Sequence, residues 1–224
     1  MEAMERLPVY LLAGGASSRF GEDKARAMLH GRTLLECAAE PLRARASAIT
    51  VVADRSDRYA DLGFRTIGDL DRGGDVRRGR GPLAGIDAAL ADLPITSGDW
   101  VLITAGDFVG ADARWIDRLL AARASGSPVV AFRGDRWEPM FALYHRSFRD
   151  HLASALASDR DDPSAWRVLE RANATSVSLP DDWARGRSID TREALARFSA
   201  ESPDALVHPG GPPATETPTT ETPA

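Results

Sequence analysis

Short apolar runs alternate along this chain with segments whose apolar residues recur every three or four positions. The runs typical of buried strands are LPVYLLA (7–13), AITVVA (48–53), FRTIGD (64–69), DWVLITAGD (99–107), PVVAF (128–132), PMFALYH (139–145) and ATSVSL (174–179). The helical segments are GRTLLECAAEPLRARA (31–46), PLAGIDAALADL (82–93), ARWIDRLLAARA (113–124), RSFRDHLASALA (146–157), PSAWRVLERA (163–172) and TREALARF (191–198). Strands that alternate with helices in this way predict an α/β fold built on a parallel sheet.

Local signals refine two of the helices. Thr33 and Glu36 have the spacing of a capping box, so we expect a helix to begin there and to be bent at Pro41. Pro82 suits the first turn of the next helix, because its missing N–H has no partner at that position.

Composition narrows the class of protein. Hydrophobic residues make up 43% of the 224 residues and the net charge is −5, which favours a globular protein over a nucleic-acid binder. No apolar stretch has the length of a membrane span or of a signal peptide, so we expect no membrane partner. The single cysteine, Cys37, lies on the apolar face of a predicted helix as a buried core thiol and fits a reducing cytoplasm.

The chain divides into two regions by composition. Residues 1–198 carry the strand and helix pattern of one domain, and residues 199–224 are rich in Pro, Thr and Glu. The second region has too few apolar residues to form a core, and we predict a disordered tail.

The loop that follows the first strand is the main candidate for chemistry. LLAGGASSRFGEDK (11–24) matches neither the P-loop nor the dinucleotide fingerprint. Gly14 and Gly15 nevertheless allow the backbone to approach a ligand closely, and Arg19 and Lys24 supply positive charge for phosphate oxygens. The loop follows a strand end, where open α/β sheets bind ligands. The alternative is an ordinary βα turn with solvated charges.

This loop also closely resembles the L-A-G-G-x-S-x-R-[MF]-G-x-D-K signature of the molybdenum cofactor guanylyltransferases. Asp69 at the end of TIGD, GPLAGIDAAL (81–90) and Asp107 follow in the family's order. Three motifs depart from the family pattern: C-D-x-P is GDFV here, Glu138 in EPMF replaces a histidine, and SIDTRE replaces N-x-N-T-P, with Ser188 and Asp190 in place of its asparagines.

The resemblance implies a Rossmann-like three-layer nucleotidyltransferase fold (GT-A-like), with a mostly parallel central sheet and helices on both faces. It implies an Mg²⁺-dependent nucleotidyltransferase that transfers GMP from GTP to the phosphate of molybdopterin and releases pyrophosphate. The partners implied are GTP, the molybdopterin cofactor, and molybdoenzymes or their chaperones. Two alternatives stay open: a cytidylyl- or other nucleotidyltransferase of the same superfamily, and a catalytically idle nucleotide- or cofactor-binding module.

By the same resemblance, three residues are candidates for catalysis: Arg19, Lys24 and Asp107, with Asp107 as the metal ligand. The candidates for nucleotide binding are Leu12, Ala13, Gly14, Gly15, Ser17, Lys24, Asp69, Gly81, Pro82, Leu83 and Asp107. Leu12, Ala13 and Gly14 would act through main-chain contacts and Asp69 through the guanine base.

Each of these residues also has a structural interpretation. Asp107 and Asp190 could cap the helices that follow them, Lys24 could be a solvated surface lysine, and Asp69 could be a turn residue. Asp190 could also be a second metal ligand. The arginine-rich loop of Arg72, Arg77, Arg78 and Arg80 could clamp the acceptor's phosphate or be solvated.

Overall fold

The computed structural model describes residues 5–14, 20, 23–68, 82–94, 98–123, 126–157 and 164–201. The strands are β1 (Leu7–Leu12), β2 (Met28–Leu29), β3 (Arg32–Thr33), β4 (Ala46–Ala53), β5 (Arg65–Gly68), β6 (Trp100–Ala105), β7 (Phe108–Val109), β8 (Val129–Arg133), β9 (Trp137–His145), β10 (Thr175–Ser178) and β11 (Arg187–Ser188). The helices are α1 (Leu34–Ala39), α2 (Pro82–Asp92), α3 (Ala113–Ala121), α4 (Phe148–Ala157), α5 (Ala165–Arg171) and α6 (Arg192–Glu201).

Seven strands form the central sheet in the order β10-β8-β9-β6-β1-β4-β5. All neighbouring pairs are parallel except those of β9, which runs antiparallel to both β6 and β8. Two short antiparallel pairs, β2 with β3 and β7 with β11, lie outside this sheet. The mostly parallel sheet is therefore confirmed.

Helices cover both faces of the sheet. Successive strand residues point to opposite sides, so a strand made of consecutive apolar residues needs a helix layer on each face. One face packs apolar residues of α2, α4 and α5 against strand residues that include Tyr10 and Ile103. The other face packs α1 and α3 against residues that include Leu11 and Leu102. These layers confirm the predicted three-layer α/β fold.

The first helix differs from its prediction. Thr33 and Glu36 form the complete capping box, and Cys37 is fully buried, as predicted. The helix ends at Ala39, however, and a 3₁₀ turn (Glu40–Leu42) follows it. Pro41 lies in that turn, so it accompanies the end of α1 instead of bending a longer helix.

A third, smaller apolar cluster joins distant parts of the chain. It contains Phe20 from the first loop, Val109 from β7, Ile189 after β11 and Phe198 from α6. All four side chains are buried, which fixes the C-terminal helix to the loop side of the sheet. Because α6 ends at Glu201 and residues 202–224 lie outside the described ranges, the division at residue 198 stays a prediction.

Within the ranges given above, no helix is both long enough and apolar enough to cross a bilayer.

Candidate active site

The carboxyl ends of β1, β4, β5 and β6 meet at one edge of the sheet. Two glycines allow close approach there. A Cβ on Gly85 of α2 would lie 3.2 Å from Leu12 Cδ1, and one on Gly106 would lie 3.3 Å from the Leu12 carbonyl oxygen. The Gly106 N–H donates to that carbonyl at 2.9 Å. The start of α2 and the end of β6 are thus held against the end of β1.

Three charged side chains from distant segments meet at this edge. The ammonium group of Lys24 donates to Asp107 Oδ2 and, at 3.0 Å, to Asp190 Oδ1. The Asp107 side chain is 13% exposed and that of Lys24 is 22% exposed, whereas Asp190 is 62% exposed. The site therefore has an inner carboxylate, an outer carboxylate and one cation between them.

Burial and charge act against each other in this group. Burial alone would lower the pKa of the Lys24 ammonium, but hydrogen bonds and charge from Asp107 and Asp190 outweigh it, and the pKa is raised. Burial raises the pKa of the Asp107 carboxyl above its ordinary value, although Lys24 pulls it down. A single lysine does not fully offset the desolvation of Asp107, so the site favours additional positive charge.

Lys24 is positioned by the residue before it. Asp23 caps the 3₁₀ turn Lys24–Arg26 and accepts from the Ala25 N–H at 3.2 Å. The Tyr59 hydroxyl lies 3.1 and 3.2 Å from the two oxygens of Asp23, and Arg58 Nε donates to one of them at 3.1 Å. The segment after β4 thereby fixes the end of the first loop.

Asp190 reaches the site through a segment that we call the strap, Pro180–Asp190. Its strand β11 pairs with β7, and the Ile189 N–H donates to the Asp107 carbonyl at 3.1 Å. Trp183 of the strap packs against aromatic side chains of β7 and α3, with ring centroids 5.4 Å from Phe108 and 4.9 Å from Trp115. The residue before Asp190 is therefore hydrogen-bonded directly to the backbone of Asp107.

The described residues place several sequence candidates together. Leu12 ends β1, Ala13 and the exposed Gly14 follow it, and Pro82 and Leu83 open α2. The Ala13 N–H donates to Val52 at 2.8 Å, so a nucleotide contact at Ala13 is left to its carbonyl oxygen. The Leu83 side chain is buried in the core, which leaves its main chain for such a contact.

The other candidates lie outside the described residues. They are Gly15, Ser17, Arg19, Asp69, Gly81 and the arginines of the loop at Arg72, Arg77, Arg78 and Arg80.

Three structural alternatives are wrong. The helix after Asp107 is capped by Asp112, which accepts from the Arg114 N–H, so Asp107 is no helix cap. The hydroxyl of Thr191, not the carboxylate of Asp190, accepts the Ala194 N–H at the start of α6. Lys24 is not a solvated surface lysine, because it is largely buried between two carboxylates.

Sequence reasoning missed Asp23, Tyr59 and the strap. Asp23 lies inside the recognised loop motif, and its helix-capping residue type was a usable signal. The contributions of Tyr59 and the strap depend on packing between distant segments and have no local signature.

A glycine-rich segment after β1, an aspartate after β6 and a three-layer α/β sheet are together typical of a nucleotidyltransferase. The family model described as MobA-like NTP transferase domain matches residues 9–176 of this chain. The chain belongs to that family, which confirms the predicted enzyme class.

Individual relatives agree with this assignment. The chain is 30% identical to the molybdenum cofactor guanylyltransferase of Ectopseudomonas mendocina (strain ymp) over 193 residues, which cover 85% of this chain and 90% of the relative. It is 35% identical over 154 residues to a probable molybdenum cofactor guanylyltransferase of Deinococcus radiodurans, covering 68% and 74% of the two chains. The crystal structure of molybdopterin-guanine dinucleotide biosynthesis protein A from Archaeoglobus fulgidus superimposes with a TM-score of 0.70 at 22% identity, covering 88% of this chain and 99% of that one.

Proposed function

We propose that this chain transfers GMP from GTP to the phosphate of molybdopterin, with Mg²⁺ bound by Asp107, and releases pyrophosphate. The meeting of Lys24, Asp107 and Asp190 at the carboxyl edge of the sheet carries the proposal. Similarity to molybdenum cofactor guanylyltransferases supports the choice of nucleotide and acceptor. A cytoplasmic location stays a prediction.

The residues of the site fit a magnesium ion. Mg²⁺ prefers carboxylate oxygens and commonly keeps several waters and phosphate oxygens as its other ligands. Asp107 and Asp190 both bind the Lys24 ammonium group and could together bind a metal ion in its place. The described residues contain no group of three His, Cys, Asp or Glu side chains suited to a metal, so the other ligands would be water and phosphate oxygens. When bound, the ion supplies positive charge to the phosphates.

The transfer itself depends on positioning and charge. An oxygen of the acceptor phosphate forms a bond to the α-phosphorus of GTP, the bond from that phosphorus to the bridging oxygen breaks, and pyrophosphate leaves. Lys24, released from Asp107, donates to phosphate oxygens and offsets their charge. Arg19 would act in the same way from the loop.

Pyrophosphate release with molybdopterin as acceptor tests this function. Asp107→Asn should lower the rate at least a hundredfold, because the ligand charge at the reacting phosphates is lost. Asp99 directly precedes β6 and its side chain is 60% exposed, so Asp99→Asn is the matched control and should keep the wild-type rate.

Three results would contradict the proposal. Full activity of Asp107→Asn would contradict the assignment of Asp107 as the metal ligand. Equal rates of pyrophosphate release with CTP and GTP would contradict the choice of guanine. Binding of GTP without pyrophosphate release would indicate an idle binding module.

A further inference from the structure

Glu138 of β9 is a carboxylate that has no partner in the part of the chain that the structure describes. It is partly buried in β9, and no hydrogen bond or ion pair to it occurs among the described residues. Burial raises the pKa of its carboxyl, and no neighbouring charge contributes to that shift. A partly buried carboxylate that the fold leaves unpaired is unfavourable, which suggests a role in binding.

The register places Glu138 at the same edge of the sheet as Asp107. Thr104 of β6 pairs with Phe141 of β9, and the two strands are antiparallel. The residues that precede Phe141 therefore lie beyond this pair at the same end of the two strands as the residues that follow Thr104. Glu138 lies three residues before Phe141, and Asp107 lies three residues after Thr104.

The backbone around Glu138 is irregular. The register between β8 and β9 shifts before the pair of Arg133 with Trp137, and Pro139, which has no N–H, follows Glu138. The Pro139 carbonyl instead accepts from the Tyr144 hydroxyl at 2.7 Å. Bulges of this kind reorient side chains and are common beside active sites.

Strand order indicates which substrate lies near Glu138. The phosphate loop follows β1, on one side of β6, whereas β9 lies on the other side. In-line transfer requires the attacking group and the leaving pyrophosphate to lie on opposite sides of the α-phosphorus. If the triphosphate lies on the β1 side, the acceptor lies on the β9 side.

A carboxylate there would repel phosphate, so it must face a neutral part of the acceptor that donates hydrogen bonds. Two parallel N–H groups match the two oxygens of a carboxylate in a bidentate pair. The 2-amino-4-oxopyrimidine edge, with its ring N–H and amino group, has that arrangement. It occurs in pterins and also in guanine.

We propose that Glu138 binds the 2-amino-4-oxopyrimidine edge of the pterin acceptor, as a specificity-determining residue of the proposed transfer reaction. This inference rests on the proposed function for the presence of a pterin acceptor.

Paired ligands test the proposal in titrations followed by ligand fluorescence. The probes are 6-hydroxymethylpterin monophosphate and the corresponding lumazine phosphate, which has oxygen in place of the 2-amino group. The wild type should bind the pterin probe at least tenfold more tightly than the lumazine probe. Glu138→Gln should abolish most of this preference, because an amide has one acceptor oxygen and a competing NH₂ donor.

Asp135→Asn is the matched control, since Asp135 is an exposed carboxylate on the same hairpin. It should keep the pterin preference. The melting temperature of Glu138→Gln should not fall, because the substitution removes a partly buried charge that has no partner. A retained preference in Glu138→Gln, or none in the wild type, would overturn the proposal.

A second pair of ligands separates the two sources of the same edge. GTP and ITP differ only in the 2-amino group of the base, and Glu138→Gln should leave their relative affinities unchanged. A loss of GTP over ITP preference in this variant would assign Glu138 to the nucleotide and overturn acceptor binding. Pyrophosphate release is measured separately, so an inactive enzyme that still prefers the pterin probe would contradict the transfer reaction and not the role of Glu138.

Discussion

Lys24 is held both by the carboxylates across the site and by the residue before it in sequence. Asp23 bonds to the Lys24–Arg26 turn, to Tyr59 and to Arg58, so the position of the lysine depends on a second layer of contacts. Tyr59 is fully buried, and its hydroxyl reaches both oxygens of Asp23. At the scale of the residue, the site is thus prepared before any ligand binds.

Replacing Tyr59 with Phe tests this arrangement with little change in packing. Loss of the hydrogen bond to a charged group should reduce the free energy of unfolding by about 1.5–3 kcal/mol. The value of kcat/KM for GTP should fall about tenfold, because Lys24 is less well positioned. Chemical denaturation and pyrophosphate release measure the two effects.

Tyr10→Phe is the matched control. Tyr10 is also buried, and its hydroxyl bonds to an aspartate, Asp92, at 2.8 Å. This variant should lose comparable stability and keep its activity, because Tyr10 packs against the opposite helix layer. If both variants lost activity equally, the effect would be one of general stability.

At the scale of the element, the strap Pro180–Asp190 is the feature that completes the site. It crosses β7 so closely that a Cβ on Gly110 would lie 2.2 Å from the Arg185 carbonyl oxygen, and one on Gly186 would lie 2.5 Å from Phe108. Gly110 also has a φ of +78°, which favours glycine. Close packing at these glycines brings Asp190 to Lys24.

Gly110→Ala should displace the strap and separate Asp190 from Lys24. We expect pyrophosphate release to fall at least tenfold and the free energy of unfolding to fall by about 2–4 kcal/mol, from strain and overpacking together. Gly98→Ala is the control, because Gly98 has a φ of +77° with nothing within 4 Å of an added Cβ. In Gly98→Ala the free energy of unfolding should fall by only about 1–2 kcal/mol, from backbone strain, and the activity should be kept. Equal activity of the two variants would show that the strap has no part in the reaction.

Elements with a strong local pattern could be predicted, and those fixed by contacts between distant segments could not. The buried run of β6 and the capping box of α1 depend only on residues close together in sequence, and both predictions are confirmed. The predicted end of α1 was wrong. The apolar spacing continues past Ala39, but Pro41 disfavours a longer α-helix and the chain forms a 3₁₀ turn there instead. The pairing of β7 with β11 joins two-residue strands that carry no periodic signal.

On the scale of the whole molecule, the site joins three regions of the chain around one sheet edge. Lys24 and Asp107 could be proposed from a motif and a strand end, since parallel strands gather their carboxyl ends at one edge. Their direct contact, and the approach of Asp190 from 166 residues away, follow only from the packed fold. The third apolar cluster then links the first loop to the last helix.

If GTP and Mg²⁺ bind at this site as proposed, the stability of the folded chain should depend on both ligands together. In the free protein, Lys24 is occupied by Asp107, so a triphosphate alone must compete with a carboxylate, and Mg²⁺ alone must compete with an ammonium group. When both ligands bind, Lys24 can pair with phosphate and Asp107 with the metal. We therefore expect the affinities of GTP and Mg²⁺ to be coupled.

Thermal unfolding measures this coupling. A ligand at a hundred times its Kd stabilises the folded state by about 2.7 kcal/mol, which corresponds to roughly 5–10 °C in Tm for a chain of this size. GTP and Mg²⁺ together should reach that shift, and the sum of their separate shifts should be smaller. In Asp107→Asn the joint shift in Tm should no longer exceed the sum of the separate shifts, because the proposed metal ligand is lost. In Asp99→Asn the joint shift should still exceed that sum. Separate shifts that simply add in the wild type would mean that the contact between Lys24 and Asp107 does not link the two ligands.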